Sequence, residues 1–445
     1  MLLLDWQSDG IIACLALVLY GVTLLALVLP HFRRNAALAR LLSAALLWRL
    51  VVWAVTAFWI LPYYAAQGAA DCYGYHHNGI LVAELIRAGD WGNISWHLGT
   101  DTMTIITGFL YAPFGGNIYG MLFFSAVLGL CGGLYFCLAF SLWARPAQVR
   151  QYALIILFLP SFAMWTGSFG KDSWIALGLG LAAYGYSSIL KLGSSTGLGH
   201  LLAGVAIMTA VRPHIAVTIA ASMAVAYVWG MTKARHISIP GKVLMVVVLV
   251  GMFALLASVA RGFLGLSDVD VSVESMHENW QGRGAGNAVG GSAVEVRAAP
   301  GVAGTLVAFP RAIVRELFQP FPWEVHNVNA GMAAGENLFI LWFALSHLGR
   351  FRGLFREILR EPYILFSSIF AVGLLFMLSL TPNLGLISRQ RAQLLPFLFA
   401  PLVAAEVVRP RGARLRSLAP PQGEHHRPVR APARRPFALP SSWNR

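Results

Sequence analysis

Runs of about twenty consecutive apolar residues recur along this chain, and nothing else in it restricts the fold so strongly. Backbone amides inside hydrocarbon find no water, so only helices or closed barrels cross a membrane. A barrel would show weak alternating segments of about ten residues. The runs here are long and continuous, so the expected fold is all-α, a polytopic transmembrane helical bundle. Composition agrees: 57% of the 445 residues are hydrophobic and 12% charged, against about 25% charged in soluble chains. That balance excludes an ordinary soluble enzyme and a disordered chain.

The runs suggest about eleven spans, near 10–30, 41–61, 117–143, 150–167, 173–190, 198–212, 214–231, 241–260, 335–349, 363–380 and 391–408. Charge orients them. The first loop carries Arg33, Arg34 and Arg40, whereas the residues before the first run hold Asp5, Asp9 and no Lys or Arg. The positive-inside bias then places the N-terminus outside and the C-terminus in the cytoplasm. In that arrangement 22 of the 33 basic residues are cytoplasmic and 15 of the 19 acids are outside. The first run also lacks the basic flank and small-residue cleavage site of a secretory leader, so it is expected to remain as a span.

The net charge of +14 does not indicate a nucleic-acid partner, because nine basic residues lie in a Pro/Arg-rich stretch at 409–445 and most others flank apolar runs. Residues 1–408 are expected to form the membrane domain, with 409–445 a disordered cytoplasmic tail drawn to membrane lipids. Cys14, Cys131 and Cys137 fall in apolar runs, and with Cys72 they form neither a disulfide framework nor a CxxC pair. The short cytoplasmic loops cannot build a nucleotide-binding domain. Chemistry is therefore expected outside, where two long loops run from about 62 to 117 and 261 to 336. Residues 305–318 carry Leu306, Phe309, Ile313 and Leu317 at helical spacing. They suit an amphipathic helix lying at the interface or against neighbouring spans. The stretch GRGAGNAVGG at 282–291 resembles a lid or linker.

Five segments bring polar groups to the expected outer boundary. The first runs from Asp71 to His77 (DCYGYHH). Asp71 and His76 can act as acid–base groups, and Asp71 can also hold a divalent cation. Tyr73, Tyr75 and His77 can stack on or bond a sugar. The plainer alternative is a helix N-cap. The second, GSFGKDS, offers Lys171 and Asp172. It lacks the spacing of a phosphate-binding loop, leaving an anion site at a helix start or simple capping with a local ion pair. In the third, VRPH, Arg212 can grip a phosphate beside His214, or it snorkels. The fourth, FQPFPWEVHN followed by GEN, offers Glu324, His326 and Glu336, whose spacing matches no metal signature. The fifth, SRQRAQLLPFL, sets Arg389 and Arg391 where a pair of guanidinium groups suits a pyrophosphate. Arg389 and Gln393 share a helix face.

With these motifs the chain resembles GT-C-type integral membrane glycosyltransferases and the related bacterial O-antigen and exopolysaccharide polymerases. The resemblance implies a polyprenyl-phosphate- or polyprenyl-pyrophosphate-linked sugar or oligosaccharide as donor. It also implies catalysis on the outer face of the bacterial cytoplasmic (inner) membrane and association with other envelope-glycan assembly proteins. By the same likeness Asp71 is the first-loop acid acting as base, although it follows the second span rather than the first and lacks a neighbouring acid. The arginines hold the leaving phosphate. Two other readings compete: a transporter or flippase of lipid-linked oligosaccharide, whose polar groups normally lie near the bilayer midplane on broken helices, and a non-catalytic scaffold.

Overall fold

The computed structural model describes residues 8–33, 36–65, 71–230, 239–264, 301–325, 328–347, 349, 351–379 and 384–405. The glycine-rich stretch at 282–291, His326 and the tail from 409 lie outside the described residues. Every regular element described is helical. Six helices are long and apolar enough to cross a membrane, seven if one bent pair counts as a single span. The chain is a multi-pass α-helical membrane protein.

Helix α1 (Ser8–Arg33) is followed by α2 (Ala36–Val55), which continues through a π turn at Thr56–Ile60 into Leu61–Ala65. The stretch read as the first long loop folds largely as α3 (Asp71–Ala88) and α4 (Thr100–Tyr111), packed on one another. Next come α5 (Ile118–Ser141), α6 (Pro146–Phe158) and α7 (Pro160–Gly167). They lead to α8 (Lys171–Leu192), α9 (Ser195–Val211), α10 (Pro213–Gly230) and α11 (Ile239–Leu264). The chain closes with α12 (Gly301–Phe318), α13 (Val328–Ser346), α14 (Phe351–Arg360), α15 (Pro362–Ser379) and α16 (Leu384–Ala404).

Several sequence boundaries are corrected. The single run expected at 150–167 is two helices bent by 55° at Leu159. Pro160 offers no amide hydrogen and disfavours helical geometry in the residue before it, and Leu159 is extended at φ −63°, ψ 123°. The helix over the span expected from 335 begins at Val328, so Glu336 lies within α13 rather than at its start. The basic segment before α15 is itself a helix, α14. Its sequence FRGLFREILR alternates arginine with apolar residues at helical spacing.

Helix α5 is buried almost end to end and packs on α8, which packs on α9. Those two crossings depend on small residues that let backbones approach. A methyl at Gly180 would stand 2.5 Å from the Gly132 carbonyl oxygen, and one at Gly185 would stand 2.5 Å from the Gly197 carbonyl oxygen. Beside this seam, Phe397 of α16 meets Phe136 of α5 at 5.3 Å between ring centroids, Phe366 of α15 at 5.5 Å and Phe370 of α15 at 4.3 Å. Phe136 also contacts Phe162 of α7. Helices α1, α2 and α11 leave Leu15, Leu27, Leu47 and Leu255 more than half exposed, as lipid-facing positions require.

The glycine seams give a direct test. Gly180→Leu and Gly185→Leu should abolish recovery of monodisperse protein in size-exclusion chromatography, because overpacking a fixed crossing costs about 1–3 kcal/mol or more. Gly199→Leu on α9, where a methyl meets nothing within 4 Å, should be recovered as the parent is.

Candidate functional site

Asp172 organises one end of the bundle. It sits in the first turn of α8, where a carboxylate is favoured by the helix dipole, and it is completely buried. Arg212, the single residue between α9 and α10, places Nη1 2.8 Å from Asp172 Oδ1 in an ion pair. Gln393 Nε2 donates to the same oxygen at 2.9 Å. Arg389 Nε donates to Oδ2. Arg389 and Gln393 are one helical turn apart on α16, so one face delivers both, as their spacing suggested.

Arg389 also reaches outward. Its Nη1 donates to Asp71 Oδ2 at 2.9 Å. Asp71 begins α3 and its side chain is 62% exposed, whereas that of Arg389 is 20% exposed. Tyr75, one turn along α3, is buried against the Phe169 ring, and burial pushes its phenol up to about 12. Lys171, next to Asp172, donates from Nζ to Thr100 Oγ1 at 2.9 Å. A bond from the Gly99 amide to the Ala210 carbonyl, 2.9 Å long, holds the start of α4 beside the end of α9. The cluster thus joins α3, α4, α8, the α9–α10 junction and α16. It contains three cations (Lys171, Arg212, Arg389) and two carboxylates (Asp71, Asp172), with the exposed members on one side.

Of the other expected site residues, His76, Glu324 and Glu336 bond to groups outside the cluster. His76 faces α4, its Nδ1 sharing a hydrogen bond with the buried Tyr111 hydroxyl at 2.9 Å. Burial, then the neighbouring His77, lowers His76 to about 4, so the ring is neutral near pH 7. His214 follows Pro213 at the start of α10 and is half-buried. Glu324 lies in a short turn, accepting from the Phe321 amide at 2.8 Å and from Gln319 Nε2 at 3.1 Å. Glu336 accepts from the Ser161 amide at 2.8 Å and from the Ser161 hydroxyl, which makes it a cap for the N-terminus of α7.

Arg389 and Arg391 do not form the expected guanidinium pair. Two positions apart on a helix is about 200° of rotation, and Arg391 points to the carbonyls of Glu316 and Leu317, each 3.3 Å from Nη1. It closes the end of α12. In the same region burial pushes the Glu316 carboxyl up to about 8, against the opposing pull of Arg315. Arg49 of α2 is also buried, donating from Nη1 to Ala163 O and Thr166 Oγ1, both at 2.9 Å, and so gripping α7. Sequence reasoning missed Thr100 and Phe169. Thr100 carries no local signature beyond its place at a helix start, and Phe169 reads as one aromatic among many.

Among the described residues no group of three or more His, Cys, Asp or Glu is placed to hold a metal ion. Both carboxylates of the cluster are bonded to Arg389. Neither protein-family models, nor curated proteins, nor solved structures match this chain.

Two outcomes are expected. Asp172→Ala leaves Arg212 as a buried, uncompensated charge and Arg389 with only the exposed Asp71 as partner, and should cost about 3–5 kcal/mol in thermal or denaturant unfolding, while Asp71→Ala, losing a largely exposed pair, should cost about 1 kcal/mol or less. For His76, the unfolded ring takes up a proton below about 6.5 and the folded one only near about 4. Its contribution is complete above about 6.5 and is lost as pH falls through that window. Amide exchange across residues 71–111, corrected for intrinsic rate, should therefore accelerate about tenfold or more between pH 6.5 and 4, and His76→Gln should flatten the dependence.

Proposed function

We propose that this chain is a membrane glycosyltransferase or polysaccharide polymerase that takes its sugar from a polyprenyl-phosphate- or polyprenyl-pyrophosphate-linked donor during cell-envelope glycan assembly. The carrying observation is an exposed carboxylate, Asp71, beside a surplus of cations at one end of an apolar bundle. Lipid-linked phosphate transfer needs both on one surface. The proposal includes the eleven-span topology with the N-terminus outside, which puts the cluster on the extracytoplasmic face of a bacterial inner membrane, away from cellular nucleotides.

In this reading Asp71 removes the proton of an acceptor hydroxyl. The acceptor oxygen bonds the sugar C1, the C1–O bond to the phosphate breaks, and the phosphate leaves with the electron pair. Arg389 and Lys171 neutralise the charge that develops on it. Arg212 and Asp172 are positioning residues: both are buried, and Asp172 fixes the Nε side of Arg389 while leaving Nη1 turned toward Asp71. His76, His214, Glu324, Glu336 and Arg391 act through the framework around this centre.

One observation favours a second reading, a flippase of lipid-linked oligosaccharide. Helix α6–α7 is broken, and Arg49 is buried against α7, as transporters place broken helices and polar groups. The two are separated by the lipid-linked glycans that build up in cells lacking the chain. Accumulation on the outer leaflet, unrelieved by Asp71→Ala protein that inserts normally, is the expected result, with transfer reduced about 10²–10⁴-fold. Full complementation by Asp71→Ala would sink the assignment of the base, and accumulation on the cytoplasmic leaflet would put the flippase first.

A further inference from the structure

Arg389 has two carboxylate partners that are unlike in every respect that governs exchange. On its Nε side lies Asp172, wholly buried, also ion-paired with Arg212 and bonded to Gln393. On its Nη1 side lies Asp71, 62% exposed and held by this single bond. An incoming anion cannot take the place of Asp172 without stranding a buried charge, whereas an exposed ion pair is nearly isoenergetic with its hydrated parts. Exchange is therefore directed to Nη1.

The surroundings of that position suit a phosphate. A methyl at Gly170 would stand 3.3 Å from Arg389 Nη2 and 3.8 Å from Tyr75 Cε2, so the glycine keeps a side chain from lying against the guanidinium edge. Lys171, the next residue, directs its ammonium to the neutral Thr100 hydroxyl. A guanidinium edge and an ammonium on adjacent walls match two oxygens of a phosphate or pyrophosphate.

We infer that Asp71 is an internal occupant of the phosphate site, resting on Arg389 until the phosphate group of the substrate displaces it. Displacement exchanges one hydrogen bond for another: Arg389 Nη1–H leaves Asp71 Oδ2 and donates to a phosphate oxygen. The carboxylate released is the one the proposed reaction uses as base, on which reading this inference rests. Phosphate binding and base release then become a single event, and an empty site keeps its base quenched. The arrangement suppresses proton abstraction when no donor is bound.

The test is binding, not turnover. Full-length protein in nanodiscs is titrated at low salt with inorganic pyrophosphate and, separately, with farnesyl pyrophosphate. Asp71→Asn should bind more tightly than the parent, by about two- to fivefold, the worth of an exposed ion pair. Glu84→Gln, which removes an exposed charge farther along the same helix, should not change affinity. In an Arg389→Gln background, Asp71→Asn should bring no gain. Tightening for both probes identifies phosphate alone as the displacing group; tightening only for farnesyl pyrophosphate identifies a lipid-held phosphate. Equal or weaker binding by Asp71→Asn, with the parent binding normally, overturns the inference and leaves the proposed function standing. The same tightening in Glu84→Gln also overturns it, because general charge would then explain the gain. A parent that binds neither probe overturns both the inference and the phosphate role assigned to Arg389 and Lys171.

Discussion

A single buried carboxylate, Asp172, accounts for how this end of the molecule is arranged. Removing a carboxylate from water is tolerable only where opposite charge and hydrogen bonds replace the lost solvent. Asp172 meets that demand by drawing Arg212 from the α9–α10 junction and Arg389 and Gln393 from α16. The requirement runs both ways, since the two arginines are also largely buried and need the carboxylate. Three distant parts of the chain are thereby brought into one register, and Asp71 and Lys171 inherit their positions from it.

The glycine seams make this arrangement possible at short range. Helix α8 carries Asp172 at its start and is pressed between α5 and α9 through Gly180 and Gly185. Without side chains at those crossings the backbones approach closely, and dispersion between them replaces the hydrophobic drive that is absent between helices in lipid. The start of α8 is held firmly enough for bonds of 2.8 and 2.9 Å to be made to it from elements far apart in sequence.

Helical class and the multi-pass character were legible because apolar runs depend only on local composition. The shared face of Arg389 and Gln393 was legible for a similar reason, since helical spacing is a local property. The pairing of Arg389 with Arg391 failed on that same geometry, because neighbours in sequence diverge around a helix. Asp172 could be seen as an anomaly at the edge of an apolar run. Its partners could not, because 40 residues separate it from Arg212 and 217 from Arg389, and no periodicity records such a meeting. Glu336, a candidate group for chemistry by sequence, accepts from Ser161 at the start of α7, a helix start that exists because the run is broken at Leu159–Pro160. Carboxylates at helix starts look alike in sequence whether they serve chemistry or packing; the partner decides.

The long separation of Asp172 from Arg389 also has a consequence for biosynthesis. A chain is made from its N-terminus, so α8, α9 and α10 are complete well before α16 leaves the ribosome. During that interval Arg212 is the arginine partner at hand, and the carboxylate has one of its two oxygens unmatched. Helix α16 supplies both remaining donors on one turn. Insertion of α16 therefore completes the charge pairing: a chain truncated before Arg389 lacks the donor to Asp172 Oδ2 and the second donor to Oδ1.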